Sequence, residues 1–231
     1  MGENDINTKR CHQCLLKSNA ADKLNFSELE ELDESCVQVT FKNSETIFKQ
    51  GALSSNIIYL SSGLVKIVID GPNREQILKV IKAPCYLGIP TTVGDKVNHY
   101  SAIALEETTA CFVDVSTFKN FIKLNSDFAY EVILDLCKNE LDQFNRCVNL
   151  VQLQMHGRMA KQLLFFADEI YNSDEYVLPL NRNDFANLLC SSREIVSKIL
   201  SEFNSEGIIT LEGKKIKILD KEKLRFIFQN G

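Results

Sequence analysis

Reactive side chains are concentrated in two places in this sequence. One is Cys11-His12-Gln13-Cys14, where two thiols three residues apart on a tight turn can share a metal ion, an iron–sulfur cluster or a disulfide. The other is Ser192-Arg193-Glu194-Ile195-Val196-Ser197-Lys198, which sets a guanidinium, a carboxylate and an ammonium on one side of a helical pattern. Arginine can donate two hydrogen bonds to guanine O6 and N7, glutamate can accept from cytosine N4, and lysine can reach guanine or phosphate. Catalysis is harder to assemble. The histidines are His12, His99 and His156, without metal-ligand spacing between them, and neither a Gly-x-Gly-x-x-Gly turn nor a phosphate-cradling loop is present, so no enzyme activity is expected.

Two short helical patterns must position the second group. Asn181 can cap the first, with Asp184 at N3, and Ser191 can cap the second, with Glu194 at N3. Phe185, Leu188, Leu189, Ile195, Val196, Ile199, Leu200 and Phe203 supply a shared core, and small Ala186 permits close approach. Two such helices joined by a turn of about three or four residues form a helix-turn-helix. The N-terminal part of its second helix enters the major groove, which makes Ser192, Arg193, Glu194, Ser197 and Lys198 the DNA-facing set. An ordinary solvated face on a helical hairpin would carry the same charges. Downstream, Gly207 to Leu219 reads as two strands around Glu212-Gly213-Lys214, a hairpin wing with Lys214, Lys215 and Lys217 grouped for phosphate contact.

Ahead of these helices the periodicity is that of strands. Val37, Val39 and Phe41 alternate with Gln38, Thr40 and Lys42, the pattern of a half-buried strand with the apolar residues inward. Further β-branched runs at 56–60, 63–69, 76–81 and 102–115, separated by Gly, Pro, Asn and Asp turns, imply an antiparallel roll or sandwich. From Ser116 to about Tyr171 the period becomes helical without a proline, which implies one long helix or two abutting ones. Within it Tyr130, Leu134, Cys137, Leu141, Phe144, Val148 and Val151 are spaced alternately by 4 and 3, a heptad seam on which two helices can supercoil as a dimer interface. An adjacent stripe (Ile133, Cys137, Glu140, Phe144, Cys147) fits a similar frame, and packing of the seam on the chain's own roll is the alternative.

The 231 residues, 45% hydrophobic and 25% charged, suffice for one large core or two smaller ones. Neither a secretory signal nor a membrane-spanning run is expected, and a myristoylation pattern fails at Ile6. The net charge of −5 is concentrated before Met155, with the remainder balanced at 11 basic and 11 acidic residues. A balanced module can still bind phosphates where its bases are grouped. Eight scattered cysteines are unlike a disulfide framework and imply mostly reduced thiols.

The run Ser192 to Lys198 closely resembles the start of the recognition helix in the Crp/Fnr family of bacterial regulators. Thr46-Ile-Phe-Lys-Gln-Gly51 and Ile58-Tyr-Leu-Ser-Ser-Gly-Leu-Val-Lys66 resemble that family's β-roll glycine signatures, and Gly157-Arg158-Met159-Ala160 resembles its hinge after the dimer helix. The resemblance extends over nearly the whole chain. It implies an α+β fold: an N-terminal antiparallel, jelly-roll-like β-roll, a long central dimerisation helix and a C-terminal winged helix-turn-helix. The corresponding segments are a cysteine-containing segment 1–24, a sensory roll 25–125, a dimerisation helix 126–154 and a DNA-binding domain 155–231. It also implies a cytoplasmic homodimer on a palindromic operator that recruits or blocks RNA polymerase, activation being one such outcome.

Three departures from the family pattern concern the turn and the effector. The turn glycine is Cys190 here, and a non-glycine residue in a left-handed turn costs on the order of 1 kcal/mol. The cyclic-AMP branch holds its phosphate with a Gly-Glu and an Arg-Ser pair, where this chain has Leu87-Gly88-Ile89-Pro90 and His99-Tyr100-Ser101. Lacking both the acid and the arginine, it is not expected to bind cyclic AMP. The iron–sulfur branch uses an N-terminal cysteine cluster and one distant cysteine, which Cys11, Cys14 and Cys111 resemble. Residues 15–24 contain no third N-terminal cysteine, so a cluster would need an outside ligand such as His12, Cys36 or a carboxylate. Cys11, Cys14 and Cys111 are thus candidate ligands for a cluster or other metal. A thiol switch at Cys11/Cys14, and a plain core role for Cys111 beside Val113 and Val115, stay open. The rival to a regulator is a ligand- or partner-binding roll whose helix-turn-helix no longer binds DNA.

Overall fold

The computed structural model describes residues 14 and 16–231. They form two compact units, one comprising the chain up to Ile69 together with Val80–Lys138, the other Asp70–Lys79 with Asn139–Gly231.

Two four-stranded antiparallel sheets form the roll, and all their residues except Asp70 and 75–79 fall in the first unit. Strands β1 (Cys36–Phe41), β3 (Asn56–Ser62), β6 (Cys85–Leu87) and β8 (Thr108–Asp114) lie in the order β1-β8-β3-β6. Strands β2 (Thr46–Phe48), β4 (Leu64–Asp70), β5 (Glu75–Lys82) and β7 (Ser101–Ala104) lie in the order β2-β7-β4-β5. Short β-branched strands with tight turns give this topology because each can bury one face only against another layer. The run read as one strand over 102–115 is two, β7 and β8, with Leu105 to Glu107 forming the bend between the sheets.

One face of the β1-β8-β3-β6 sheet is covered by helix α1 (Phe26–Glu34), helix α3 (Val115–Leu124) and the first turns of α4 (Ser126–Gln152). Ile57, Val113, Phe118, Phe121, Phe128 and Val132 form the buried cluster there, joined by Ala20, Ala21 and Leu24 of the N-terminal segment. Cys36 packs on the same cluster, so β1 turns its opposite residues away from it. Val37 and Val39 are consequently exposed rather than inward, because β1 is an edge strand and the helical cover reaches only its first residue. A short helix, α2 (Ile89–Gly94), follows β6 and is started by Gly88.

The helical region after Ser116 contains more breaks than its periodicity suggests. Asn125 interrupts it and caps α4, accepting a 3.0 Å bond from the Phe128 amide. A second break at Leu153 and Gln154 separates α4 from α5 (Met155–Phe165), which continues into a π-helical stretch, Phe166–Tyr171. The second unit then adds β9 (Glu175–Val177), α6 (Arg182–Leu188), α7 (Arg193–Ser205), β10 (Ile209–Glu212), β11 (Lys215–Ile218) and α8 (Lys221–Asn230). Its core gathers Met159, Leu163, Phe166, Leu178, Phe185, Phe203 and Ile216, all essentially free of solvent. Tyr176 donates its hydroxyl proton to the Leu163 carbonyl at 3.0 Å, which joins β9 to α5.

Gly63, between β3 and β4, shows what the roll demands of its turns. It has φ +97°, and a Cβ there would lie 2.6 Å from the Thr108 Cα. Gly63→Ala combines a left-handed backbone with a main-chain clash and is expected to cost on the order of 2–4 kcal/mol. Urea unfolding of the purified variant checks this, and an unchanged midpoint would contradict the assigned turn.

Candidate nucleic-acid interface

The site begins with the two caps of the helix-turn-helix. The Asn181 side chain accepts from the Asp184 amide at 2.9 Å and starts α6. At the second helix the capping residue is Ser192, not Ser191: its hydroxyl accepts from the Ile195 amide at 3.3 Å. The turn consumes one residue more than the sequence pattern suggests, because Cys190 adopts φ 54°, the left-handed conformation expected for it. The turn is closed by the Cys190 amide to Asn187 O at 3.1 Å and the Ser191 amide to Ala186 O at 2.9 Å. Ser192 therefore spends one acceptor on the cap, leaving its remaining hydrogen-bonding capacity for a partner.

Helix α7 separates cleanly into faces. Val196, Ile199, Leu200 and Phe203 are buried, whereas Ser192, Arg193, Glu194 and Lys198 are exposed and Ser197 is half-buried. The five residues expected to face DNA thus lie together along the outer side of the helix, weighted to its first turns. Ile195, expected in the core, is instead 45% exposed. It lies on the flank of the buried stripe, on the side of Lys198 and Glu202, and an apolar side chain there has the chemistry to meet a thymine methyl.

The charges on this face are partly organised already. The Glu194 carboxyl is held below its usual range by its own amide, by the Ser192 hydroxyl and by Arg193, so it is an acceptor at neutral pH. Lys198 lies 3.7 Å from Glu202, whose other oxygen meets His156 at 3.0 Å, and these contacts lower the Glu202 carboxyl, His156 foremost. In the wing, β10 and β11 pair in register from Ile209 with Ile218 to Glu212 with Lys215, leaving Gly213 and Lys214 as the turn. Strand β9 adds a third strand that the sequence reading lacks. Its Glu175 binds Lys215 at 2.6 Å and Lys217 at 3.6 Å, so two of the three wing lysines face a carboxylate, while Lys214 is exposed at the tip. Arg182 donates to Gly213 O at 2.7 Å and ties the wing to the start of α6.

The carbonyl end of α6 is satisfied from elsewhere in the same unit. Arg146 Nη2 donates to Leu188 O at 3.3 Å and to Ile77 O at 3.2 Å. Arg158 Nη1 donates to Leu189 O at 2.9 Å, with its Nε buried and unpartnered. The Asn187 amide donates to Glu75 O at 2.7 Å and accepts from the Ile77 amide at 3.3 Å, and the Gln76 side chain donates to Asn187 O. Burial lowers the Arg146 pKa from its ordinary value, against the opposing influence of Cys190 and Cys147.

Along α4 the heptad residues Tyr130, Cys137, Leu141, Phe144, Val148 and Val151 are exposed, and Leu134 is half-buried. The adjacent stripe is exposed as well. The buried residues of α4 are Phe128 and Val132, with Leu136 packed against their cluster. At the position where the cyclic-AMP branch holds phosphate, the Gly88 amide donates to the Tyr100 hydroxyl at 3.0 Å, and His99 pairs with Asp95 at 2.5 Å.

Of the thiols singled out, Cys11 lies outside the described residues, as does His12. Cys14 and Cys111 line one cavity, together with Cys36. The cluster that the resemblance implies finds only part of a donor set: among the described residues no three His, Cys, Asp or Glu side chains are arranged to hold a metal ion. The described cysteines are all thiols, and among the described residues no helix is long and apolar enough to cross a membrane.

Comparison with known proteins places these features in a wider set. Residues 38–125 match the cyclic nucleotide-binding domain, and residues 157–227 match the Crp-like helix-turn-helix domain. The chain is 27% identical over 203 residues to a CRP-like cAMP-activated global transcriptional regulator of Mycobacterium tuberculosis, covering 86% of this chain and 91% of that protein. It is 23% identical over 216 residues to the transcriptional activator protein FnrA of Stutzerimonas stutzeri, covering 91% and 88%. Its fold is shared with FixK2 from Bradyrhizobium japonicum, with a TM-score of 0.75, 17% identity and coverage of 83% and 96%. A CRP-family transcriptional regulator of Thermus thermophilus also shares it, with a TM-score of 0.72, 22% identity and coverage of 84% and 97%.

Removing the guanidinium of Arg146 leaves carbonyls at the end of α6 short of a charged donor. Arg146→Met is expected to lower stability by about 1.5–3 kcal/mol. Thermal and urea unfolding, with hydrogen exchange at 187–191, check this, and unaltered protection of that turn would remove the role given to Arg146.

Proposed function

Because the chain belongs to the Crp/Fnr family of transcription regulators, we propose that it binds a palindromic operator sequence-specifically as a homodimer, under control of a signal sensed by the β-roll or the N-terminal cysteines. The observation that carries this reading is the joint exposure of Arg193, Glu194 and Lys198 on a helix whose opposite face is buried. Arg193 reads guanine, Glu194 accepts from cytosine and restricts the bases tolerated beside it, and Lys198 reaches guanine or phosphate. Ser192 and Ser197 contact backbone or base edges, and Lys214 at the wing tip contacts phosphate. The domain layout follows the same division of labour: sensing in 25–125, dimerisation through 126–154 and DNA binding in 155–231.

The uncovered seam on α4 supports the homodimer, since an apolar stripe of this length is stable in water only when another surface covers it. The effector is not cyclic AMP. Tyr100 already occupies the Gly88 amide, and no arginine stands at the expected position to neutralise a phosphate. RNA polymerase is the further partner, and the cytoplasm the compartment in which such a regulator works.

Fluorescence anisotropy with operator duplexes, selected from random sequence, tests the assignment. Arg193→Ala is expected to lose about 1–3 kcal/mol and to relax preference at one position per half-site. Unchanged affinity and selectivity would favour the rival, a ligand- or partner-binding roll. For the seam, Leu141→Asp with Phe144→Asp should shift sedimentation from dimer to monomer and abolish tight operator binding while the monomer stays folded. A wild-type protein that sediments as a monomer at micromolar concentration would count against the dimer.

A further inference from the structure

The wing carries its charges on one face, and the phase of its strands decides which. Tyr176 is buried and anchored to the Leu163 carbonyl, so its neighbours on β9, Glu175 and Val177, turn outward. On β11, Ile216 and Ile218 are buried, which sets Lys215 and Lys217 on the outer side. Glu175 stands directly opposite Lys217, with Lys215 as its diagonal neighbour. One carboxylate consequently holds both lysines, Oε1 taking Lys215 at 2.6 Å and Oε2 taking Lys217 at 3.6 Å. From the other edge, β10 sets Glu212 opposite Lys215 and Thr210 opposite Lys217.

The fold of the wing rests on other contacts. The Leu178 amide donates to Lys214 O at 2.9 Å, Arg182 donates to Gly213 O at 2.7 Å, and Tyr176, Ile209 and Ile216 are buried beneath the strands. The side chains of Lys215, Lys217 and Glu175 remain 52%, 53% and 43% exposed, and ion pairs so open to water add little to stability. All three are charged at neutral pH: Lys215 foremost, then Lys217, holds the Glu175 carboxyl below its usual range, and Glu175 raises the Lys215 ammonium. Over the three wing strands and their turn, three lysines against two glutamates leave one net positive charge. The pull of the wing on a phosphate backbone is therefore governed by how firmly Glu175 keeps its lysines.

On the reading that the chain binds DNA, we propose that Glu175 is a positioning residue that restrains the grip of the wing on the DNA backbone, by occupying Lys215 and Lys217 and leaving phosphate contact to Lys214. A phosphate reaches the two held lysines only by displacing a carboxylate that is already in place. The exchange replaces one charge-assisted pair with another, so little is gained, and the carboxylate itself repels the incoming phosphate. Lys214, exposed at the tip, meets no such competition from Glu175. Contacts to phosphate carry no sequence information, and their number sets how tightly any duplex is held. With that term kept small, binding depends on the base-reading side chains of α7, and unrelated DNA is released more readily.

The experiment uses the full chain, with a selected operator duplex and an unrelated duplex, each titrated by anisotropy over a series of salt concentrations. Glu175→Gln removes the charge and keeps the shape. It is expected to bind both duplexes roughly tenfold more tightly near about 0.1 M salt, with log K falling more steeply against log salt by about one to two, and with base preference unchanged. Lys215→Gln combined with Lys217→Gln should cost more in the Glu175→Gln chain than in the wild type, because only there are the lysines free for phosphate. In the wild type, limited acetylation mapped by mass spectrometry should be blocked by bound duplex at Lys214 and little changed at Lys215 and Lys217. A slope in Glu175→Gln that is unchanged or shallower, equal losses in the two backgrounds, or equal protection of all three lysines would each overturn the proposal. The acetylation map decides the matter even if the variant does not fold. A wild type that binds neither duplex removes the regulator reading; Glu175→Gln that then gains salt-sensitive binding upholds the role of Glu175, and one that gains none overturns it as well.

Discussion

Everything on helix α7 depends on how the preceding helix ends. A helix leaves its last carbonyls without partners, and the turn after α6 gives its amides to Ala186 and Asn187, leaving Leu188 and Leu189 to other donors. Arg146 and Arg158, with Gln76, provide the donors. Guanidinium groups suit this task because they carry several donors in a rigid plane and stay charged when partly buried. With the end of α6 fixed, the left-handed Cys190 and the cap at Ser192 set the phase of α7, and that phase selects which side chains face outward. The orientation of Arg193, Glu194 and Lys198 is thus decided by residues outside that helix. Helix α6 is also tied to Asp70–Lys79 of the same unit, through the pairing of Asn187 with Glu75 and Ile77.

The first unit follows another logic. Its two sheets are made by alternation and turns, but the covered face of β1-β8-β3-β6 is where polar and apolar chemistry meet. Tyr59 and Tyr86 are pushed well above the ordinary phenol range by burial, so both remain neutral and serve as hydrogen-bonding posts for the N-terminal segment. Thiols on the same face are shielded by that segment and share the small space beneath it. Cys14 lines the same cavity as the sheet thiols Cys36 and Cys111.

Much of the architecture is legible in the sequence because it rests on local periodicity. The strands, the wing hairpin, the two helices of the reading head and the left-handed turn at Cys190 all follow from alternation, caps and turn chemistry over a few residues. The errors are equally physical. Val37 and Val39 alternate as core residues do, yet β1 is an edge strand whose covered face is the one bearing Cys36, and no local pattern states which face a distant helix will cover. Ser191 and Ser192 are equivalent caps by type, and the choice between them depends on the length of the turn.

By itself the sequence determined what each segment is and which chemistry it carries: strands, caps, a heptad seam and a charged trio at helical spacing, all consequences of interactions within a turn or two of the chain. Tertiary structure decided what those segments meet. It set Cys36 beside Cys111 across 75 residues of chain, left the α4 seam uncovered, paired Glu175 with two wing lysines, and supplied Arg146 and Arg158 to the end of α6. Such pairings rest on strand register and on carbonyls seeking donors through space, and neither leaves a periodic trace in the order of residues.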